Sequence, residues 1–221
     1  MLSKRLQTVL SFLKNGRVLY DVGSDHAYLP IAALKEGVVE KAYAVDNKLG
    51  PLEAARQNAK KEDLLDTLKL LHSEGIEDLD QDADLLVIAG LGGKTIHKIL
   101  DGQDYKNLTR MVLQPNNHPE MVRFLTKSNP LKIVDETVVA ENGELYVVIV
   151  LEKGEQSLSP KELWGGPVLL QKKPPAYKES LEKEHGFLSR LLEEIPDQDA
   201  KKPLQEKKDL LEEVLHEWRN D

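Results

Sequence analysis

Val18-Leu19-Tyr20-Asp21-Val22-Gly23-Ser24-Asp25-His26-Ala27-Tyr28 is the stretch on which the fold turns. Apolar and aromatic residues run into Asp21 and Gly23, the pattern of a buried strand ending in a tight turn. Leu29-Pro30-Ile31-Ala32-Ala33-Leu34 follows, with Pro30 where a helix can begin. A turn joining a parallel strand to a helix gathers backbone N–H groups at a helix N-terminus, and doubly wound folds bind nucleotide-like ligands there. Downstream, Ala42-Tyr43-Ala44-Val45 forms a second apolar run that ends at Asp46, 23 residues beyond Gly23. A carboxylate at the tip of the second strand is placed to accept hydrogen bonds from ribose hydroxyls. Together the two landmarks point to an adenosine-containing cofactor. The competing reading is a plain strand–helix turn capped by Ser24 or Asp25.

The residues around Gly23 select among cofactors. A dinucleotide fold needs Gly-x-Gly-x-x-Gly so that pyrophosphate can approach the backbone; here Asp25 and Ala27 stand at the following alternate positions. Asp21 and Asp25 would repel pyrophosphate but suit a sulfonium with an amino-acid tail, which is S-adenosylmethionine.

Composition narrows the class. A chain of 221 residues, 40% hydrophobic, accommodates one domain of about 150 residues and an appendage. No stretch approaches 18 apolar residues and no secretory signal opens the chain, so no membrane association is expected and the cytoplasm is the expected compartment. With no cysteine, thiol catalysis and thiolate zinc sites are excluded, and no metal is expected. Residues 1–152 carry 18 basic against 23 acidic side chains (net −5) and residues 153–221 carry 12 against 15 (net −3). Such a chain is no general polyanion binder; any nucleic-acid contact must come from a local patch such as Lys4-Arg5 or Lys172-Lys173.

The flanking segments continue a strand–helix alternation. Leu6, Val9, Leu10 and Leu13 have helical spacing, with Ser3 as cap and Asn15-Gly16 as stop. Further segments read as a helix over 51–61, strands over 68–71, 85–88 and 111–113, and helices at 95–100 and around Met121, Val122 and Leu125. Ile133–Val139 and Leu145–Leu151 flank the hairpin turn Glu141-Asn142-Gly143. Parallel strands closed by an antiparallel hairpin predict an α/β fold, the Rossmann-like seven-stranded sheet of class I methyltransferases, by analogy of fold. Beyond residue 155, Tyr177, Leu181, Leu188, Leu191 or Leu192 and Ile195 form one apolar stripe, and Leu204, Leu211, Val214, Leu215 and Trp218 another. Pro196-Asp197-Gln198-Asp199 separates them, which predicts a C-terminal α-helical coiled-coil hairpin. It would be a brace, a dimerisation arm or a substrate grip. The expected division is 1–154, a cofactor-binding methyltransferase domain, and 155–221, a helical domain.

In such an enzyme Asp21 and Gly23 face the methionine end, Asp46 the ribose, and Glu74 beside Gly75 the adenine edge. Ala89-Gly90-Leu91-Gly92-Gly93 would be a flexible stretch past the fourth strand, where the acceptor meets the methyl. Enzymes that methylate exocyclic amines often carry Asn/Asp-Pro-Pro-aromatic there, and this chain does not. An endocyclic ring nitrogen is the better acceptor, since its lone pair needs no prior deprotonation. The ring becomes cationic, and Asp25 is placed to offset that charge. His26 is either a rival acid/base or a structural donor.

These residues carry a family resemblance. Leu2-Ser3-Lys4-Arg5-Leu6-Gln7, Asp21-Val22-Gly23-Ser24-Asp25-His26-Ala27-Tyr28-Leu29-Pro30, Ala89-Gly90-Leu91-Gly92-Gly93 and Leu113-Gln114-Pro115-Asn116 resemble signature segments of the bacterial family that methylates N1 of adenine 22 in tRNA (TrmK). The likeness continues more weakly through Gly166-Pro167 into the tail. It implies a class I fold, S-adenosylmethionine as cofactor, tRNA as substrate, and a coiled-coil hairpin. By motif it implies Asp25 as the catalytic carboxylate, with Tyr28 and Asn116 near the target base. The candidate cofactor residues are Asp21, Gly23, Ser24, His26, Asp46, Asn47, Glu74, Gly75, Ala89, Gly90, Leu91 and Gly92, and Lys4 and Arg5 are candidate tRNA contacts. Where this family shows Gly-Asp-Gly, the chain has Ser73-Glu74-Gly75. The alternatives are a small-molecule methyltransferase and a non-catalytic RNA-binding protein on the same fold. A monomer is expected.

Overall fold

The computed structural model describes residues 2–14, 16–77, 79, 82–105 and 107–219. Seven strands form one sheet in the order β3-β2-β1-β4-β5-β7-β6. They are β1 (Val18–Val22), β2 (Lys41–Asp46), β3 (Leu68–His72), β4 (Leu85–Leu91), β5 (Arg110–Pro115), β6 (Leu131–Glu141) and β7 (Glu144–Lys153). The first five are parallel, and β7 runs antiparallel between β5 and β6. The expected antiparallel hairpin therefore closes the sheet.

Alternate side chains of each strand enter separate cores. Leu19, Ala44, Leu85, Val87, Val112 and Val148 pack beneath α1 (Lys4–Ser11), α2 (Tyr28–Lys35) and α3 (Leu49–Lys61). Tyr20, Val45, Leu86, Ile88, Leu113 and Ile149 face α4 (Gly93–Leu100), α5 (Pro119–Arg123) and α6 (Leu125–Ser128). That second core continues without a break into the tail, where Tyr177, Leu181, Leu188, Leu211, Val214, Leu215 and Trp218 are buried. The tail comprises α7 (Pro160–Gly165), α8 (Pro167–Lys172), α9 (Pro175–Glu194) and α10 (Gln198–Arg219). Contacts of Tyr177 with Trp218, Glu184 with Lys207 and His185 with Glu212 pair α9 and α10 antiparallel. Among the described residues, no helix is long and apolar enough to cross a membrane.

Several boundaries differ from the sequence expectation. Ser3 does cap α1, its Oγ accepting from the Leu6 N–H at 3.3 Å, but the helix stops at Ser11. The proposed stop at Asn15-Gly16 includes Asn15, which lies outside the described residues. The 89–93 stretch is not a flexible loop: β4 runs through Leu91, held to β5 across a register shift between Ala89 and Leu91. Gly90 takes φ +85° at that irregularity. The helix around Met121 breaks at Phe124, and α10 already begins at Gln198 and contains Pro203. Ser24 makes no side-chain capping bond, so the turn after β1 is not an ordinary capped helix start.

A buried ion pair ties the tail to the sheet. Arg123 Nε lies 2.7 Å from Glu136 Oε1, with both side chains fully buried. Arg123 Nη1 also donates to the carbonyls of Leu163 and Trp164 at the end of α7. Glu136 Oε2 accepts from the Val168 and Leu169 N–H groups at the start of α8, at 3.0 and 3.3 Å. Gly166 joins the two helices at φ +80°, and an added Cβ would sit 2.6 Å from Arg123 Nη2 and from Glu136 Oε2. The α7–α8 corner is thus wrapped on the charge pair.

Candidate active site

Parallel strands leave their loops at one end of the sheet, and two clefts open there. The smaller, about 490 Å³, is walled by Asp46 and Asn47 from the end of β2, Pro51 from α3, Ser73 and Glu74 after β3, Gly90 and Leu91 from β4, and Thr95 and Ile99 from α4. The larger, about 1060 Å³, lies between α1 and α2 and reaches the β6–β7 turn; its walls include Gln7, Asp21, Ser24, Tyr28, Leu29, Lys35 and Glu141. Arg5, Gly23, Asp25 and Ala89 line both clefts and mark their junction.

The turn after β1 is unusual. Gly23 and Ser24 donate their backbone N–H groups to Val45 O at 2.9 and 3.0 Å, which docks the turn on β2. A short 3₁₀ turn then spans Asp25–Ala27, and His26 and Ala27 both adopt left-handed backbone, at φ +59° and +56°. Non-glycine residues reach that region at a cost, and such strain gathers at functional sites. Asn58 Nδ2 donates to His26 O at 3.0 Å and helps hold it. The result turns the Asp25 carboxylate outward, 73% exposed, with His26 Nε2 3.3 Å from its Oδ1. The His26 ring stacks on Tyr28, itself 54% exposed.

Asp21 has the opposite environment. Burial pushes its carboxyl up to about 7; the Ser24 hydroxyl beside it pulls the other way, and the Asp46 carboxylate adds to the rise. Between about pH 4, where an unfolded aspartate titrates, and pH 7, the folded protein holds a proton that the unfolded chain releases. Stability associated with this group is therefore lost progressively between about pH 4 and about pH 7, and the loss is complete above that. Asp21→Asn is expected to raise Tm at pH 8 by at least about 4 °C, with little change at pH 4, while weakening cofactor binding. Thermal melts at both pH values check this; equal Tm values at pH 8 would refute it.

Most of the remaining candidates meet at the clefts. Asp46 Oδ1 accepts from the Lys48 N–H at 2.9 Å, and Asn47 O is held by His72 Nε2 at 3.1 Å. His26, Gly75 and Gly92 line neither cleft: Gly75 lies against Glu77 and Ile99, and Gly92 caps α4 beside Asn117. Asn116 is exposed just outside, its Nδ2 donating to Gly90 O at 2.5 Å. Lys4 is exposed as a surface contact requires, but Arg5 turns inward. Its Nη1 donates to Gln114 Oε1, its Nε lies 3.6 Å from Glu141 Oε2, and its guanidinium covers the Tyr146 ring at 5.2 Å. Glu141 is held below the usual carboxylate range, chiefly by the Arg5 backbone N–H. Arg5 is thus a wall of the junction and not an open phosphate contact. Neither Gln114, read only within the Leu113-Gln114-Pro115-Asn116 segment, nor Glu141, read only as a hairpin-turn residue, was among the candidate site residues, and no local spacing places either at the junction. Among the described residues, no three His, Asp or Glu side chains cluster as metal ligands.

The donor set fits S-adenosylmethionine. A carboxylate at a strand tip suits ribose hydroxyls, and a buried carboxyl poised near neutrality suits a cationic amino-acid end. Neither cleft offers the glycine cradle a pyrophosphate needs.

Comparison with known proteins agrees. The family described as tRNA (adenine(22)-N(1))-methyltransferase matches residues 19–217. The Bacillus subtilis (strain 168) protein of that name is 32% identical, over 97% of each chain. A Streptococcus pneumoniae structure in complex with S-adenosyl-L-methionine superposes with a TM-score of 0.89 at 33% identity, covering 98% of this chain and 100% of that one. The M. capricolum TrmK complex with S-adenosyl-homocysteine gives 0.88 at 27% identity over 98% of both.

Proposed function

The chain belongs to the tRNA (adenine(22)-N(1))-methyltransferase family, and from that premise we propose how its two clefts divide the work. The enzyme methylates N1 of an adenine in tRNA, with S-adenosylmethionine as donor. When bound, the cofactor supplies an electrophilic methyl group on a sulfonium. The single observation that carries the division of labour is the shared junction of Arg5, Gly23, Asp25 and Ala89.

In this reading the smaller cleft takes the nucleoside half of the cofactor, with Asp46 on the ribose and Glu74 toward the adenine edge. Asp21 and the Gly23–Ser24 turn hold the amino-acid end at the floor of the larger cleft. The target adenine enters the larger cleft, unpaired or flipped because N1 lies on its pairing edge. Tyr28 offers a stacking surface for it, and Asn116 stands at its edge. Asp25 faces the ring as it becomes cationic. Lys4 and the exposed face of the helical tail meet the RNA backbone. A tRNA substrate supports the cytoplasm as its site of action.

Purified protein incubated with unmodified tRNA and methyl-labelled S-adenosylmethionine is expected to yield labelled 1-methyladenosine at position 22. Label on an exocyclic amine or on another base would overturn the reading. Asp46→Ala is expected to weaken S-adenosylmethionine binding about tenfold or more, since it removes charge-assisted hydrogen bonds. Calorimetry checks this, and an unchanged Kd would remove Asp46 from the ribose.

A further inference from the structure

We propose that Arg5 and Gln114 are positioning residues that fix the polarity of the Asn116 carboxamide and so adapt the site to a 6-amino purine. The inference rests on the reading above, in which the target adenine lies beside Asn116.

Gln114 is fully buried at the end of β5. Arg5 Nη1 donates to its Oε1, and a guanidinium has no acceptor, so Gln114 must present oxygen on that side. Its Nε2 donates to Pro115 O at 2.9 Å and to Asn116 Oδ1 at 3.4 Å. A backbone carbonyl cannot donate, so this end is fixed independently. Asn116 Nδ2 donates in turn to Gly90 O, another group with no choice of role. Carboxamide orientation is ordinarily ambiguous by a half-turn. Here reversing either side chain sets two donors, or two acceptors, face to face.

The chain of bonds is anchored at its origin. The Arg5 N–H donates to Glu141 Oε1 at 3.2 Å, and the guanidinium is held between Glu141 and Tyr146. Gly90 leaves it room, because a Cβ there would lie 3.2 Å from Nη1. Arg5 thus sets a direction that passes through Gln114 to Asn116, whose exposed carboxamide keeps Oδ1 as an acceptor with one lone pair beyond the long Gln114 bond. An acceptor at the rim pairs with the exocyclic amine of adenine and repels the oxo group of a 6-oxo purine. The methyl acceptor N1 adjoins that amine, so gripping the amine orients the reacting nitrogen.

The test is a cycle between the amine and the relay. A tRNA carrying purine ribonucleoside at the target position keeps N1 but lacks the amine. Its kcat/KM relative to the adenosine tRNA is measured for the unaltered enzyme, Gln114→Met and Arg5→Met; intrinsic ring reactivity cancels between enzymes. The preference for adenosine is expected to shrink about tenfold in both variants, with S-adenosylmethionine affinity within about threefold of the unaltered enzyme. If Gln114→Met does not fold, Arg5→Met carries the test through its more open position. Equal loss on both substrates, leaving the preference unchanged, overturns the relay. Absence of methylation on the adenosine tRNA by the unaltered enzyme would instead remove the underlying reading, and the relay with it.

Discussion

Replacing Asp25 with Asn is expected to lower kcat for methyl transfer about 100-fold or more, with S-adenosylmethionine affinity within about threefold of the original. N1 of adenine attacks through its lone pair, so no base is needed before the reaction. What changes is charge: the ring becomes cationic as the bond forms. Asp25 stands where the two clefts meet, held outward by the left-handed backbone of His26 and Ala27. The nearby Arg5 guanidinium would oppose a cation, but Glu141 offsets it. In the free protein the Asp25 carboxylate is well exposed, and its interactions there are screened. Bound RNA would exclude that water and strengthen the same charge. Asparagine keeps the size and loses the charge. Single-turnover kinetics with calorimetry separate the two effects, and turnover within about fivefold of the original would remove Asp25 from the mechanism.

Arg123→Met is expected to destabilise the protein by about 3–5 kcal/mol, because it leaves the Glu136 carboxylate buried without its counter-charge. The loss exceeds that of a surface pair because both groups have been taken out of water. The double variant Arg123→Met/Glu136→Gln is expected to regain part of it, since no buried charge then remains unpaired. The carbonyls of Leu163 and Trp164 and the α8 N–H groups depend on the same pair, so the first part to loosen is the α7–α8 corner. Denaturant unfolding of the three proteins checks this, and a loss below about 1 kcal/mol for the single variant would contradict it.

The sheet and the turn after β1 were legible because their signals are local. An apolar run into Asp21-Val22-Gly23 and another into Asp46 lie within thirty residues, and strand alternation with a hairpin at Glu141-Asn142-Gly143 gives the antiparallel closure. The two apolar stripes of the tail likewise announce α9 and α10. The 89–93 stretch misled because glycine content reads as a loop, whereas pairing with β5 extends the strand through a bulge. Arg5 misled for a different reason. Beside Lys4 it reads as a basic patch, yet its partners Gln114 and Glu141 lie 109 and 136 residues away and leave no periodic trace. Arg123 and Glu136 were invisible on the same grounds, since isolated charges in a sequence read as surface. The junction of the two clefts is a tertiary fact, assembled from α1, the β1 turn and β4.

The most direct measurement is a crystal structure of this protein with S-adenosyl-homocysteine. Ribose hydroxyls are expected on Asp46, the amino-acid end against Asp21 and the Gly23–Ser24 turn, and sulfur facing the gap between Asp25 and Ala89. Product bound away from Asp46, or sulfur directed away from that gap, would contradict this arrangement.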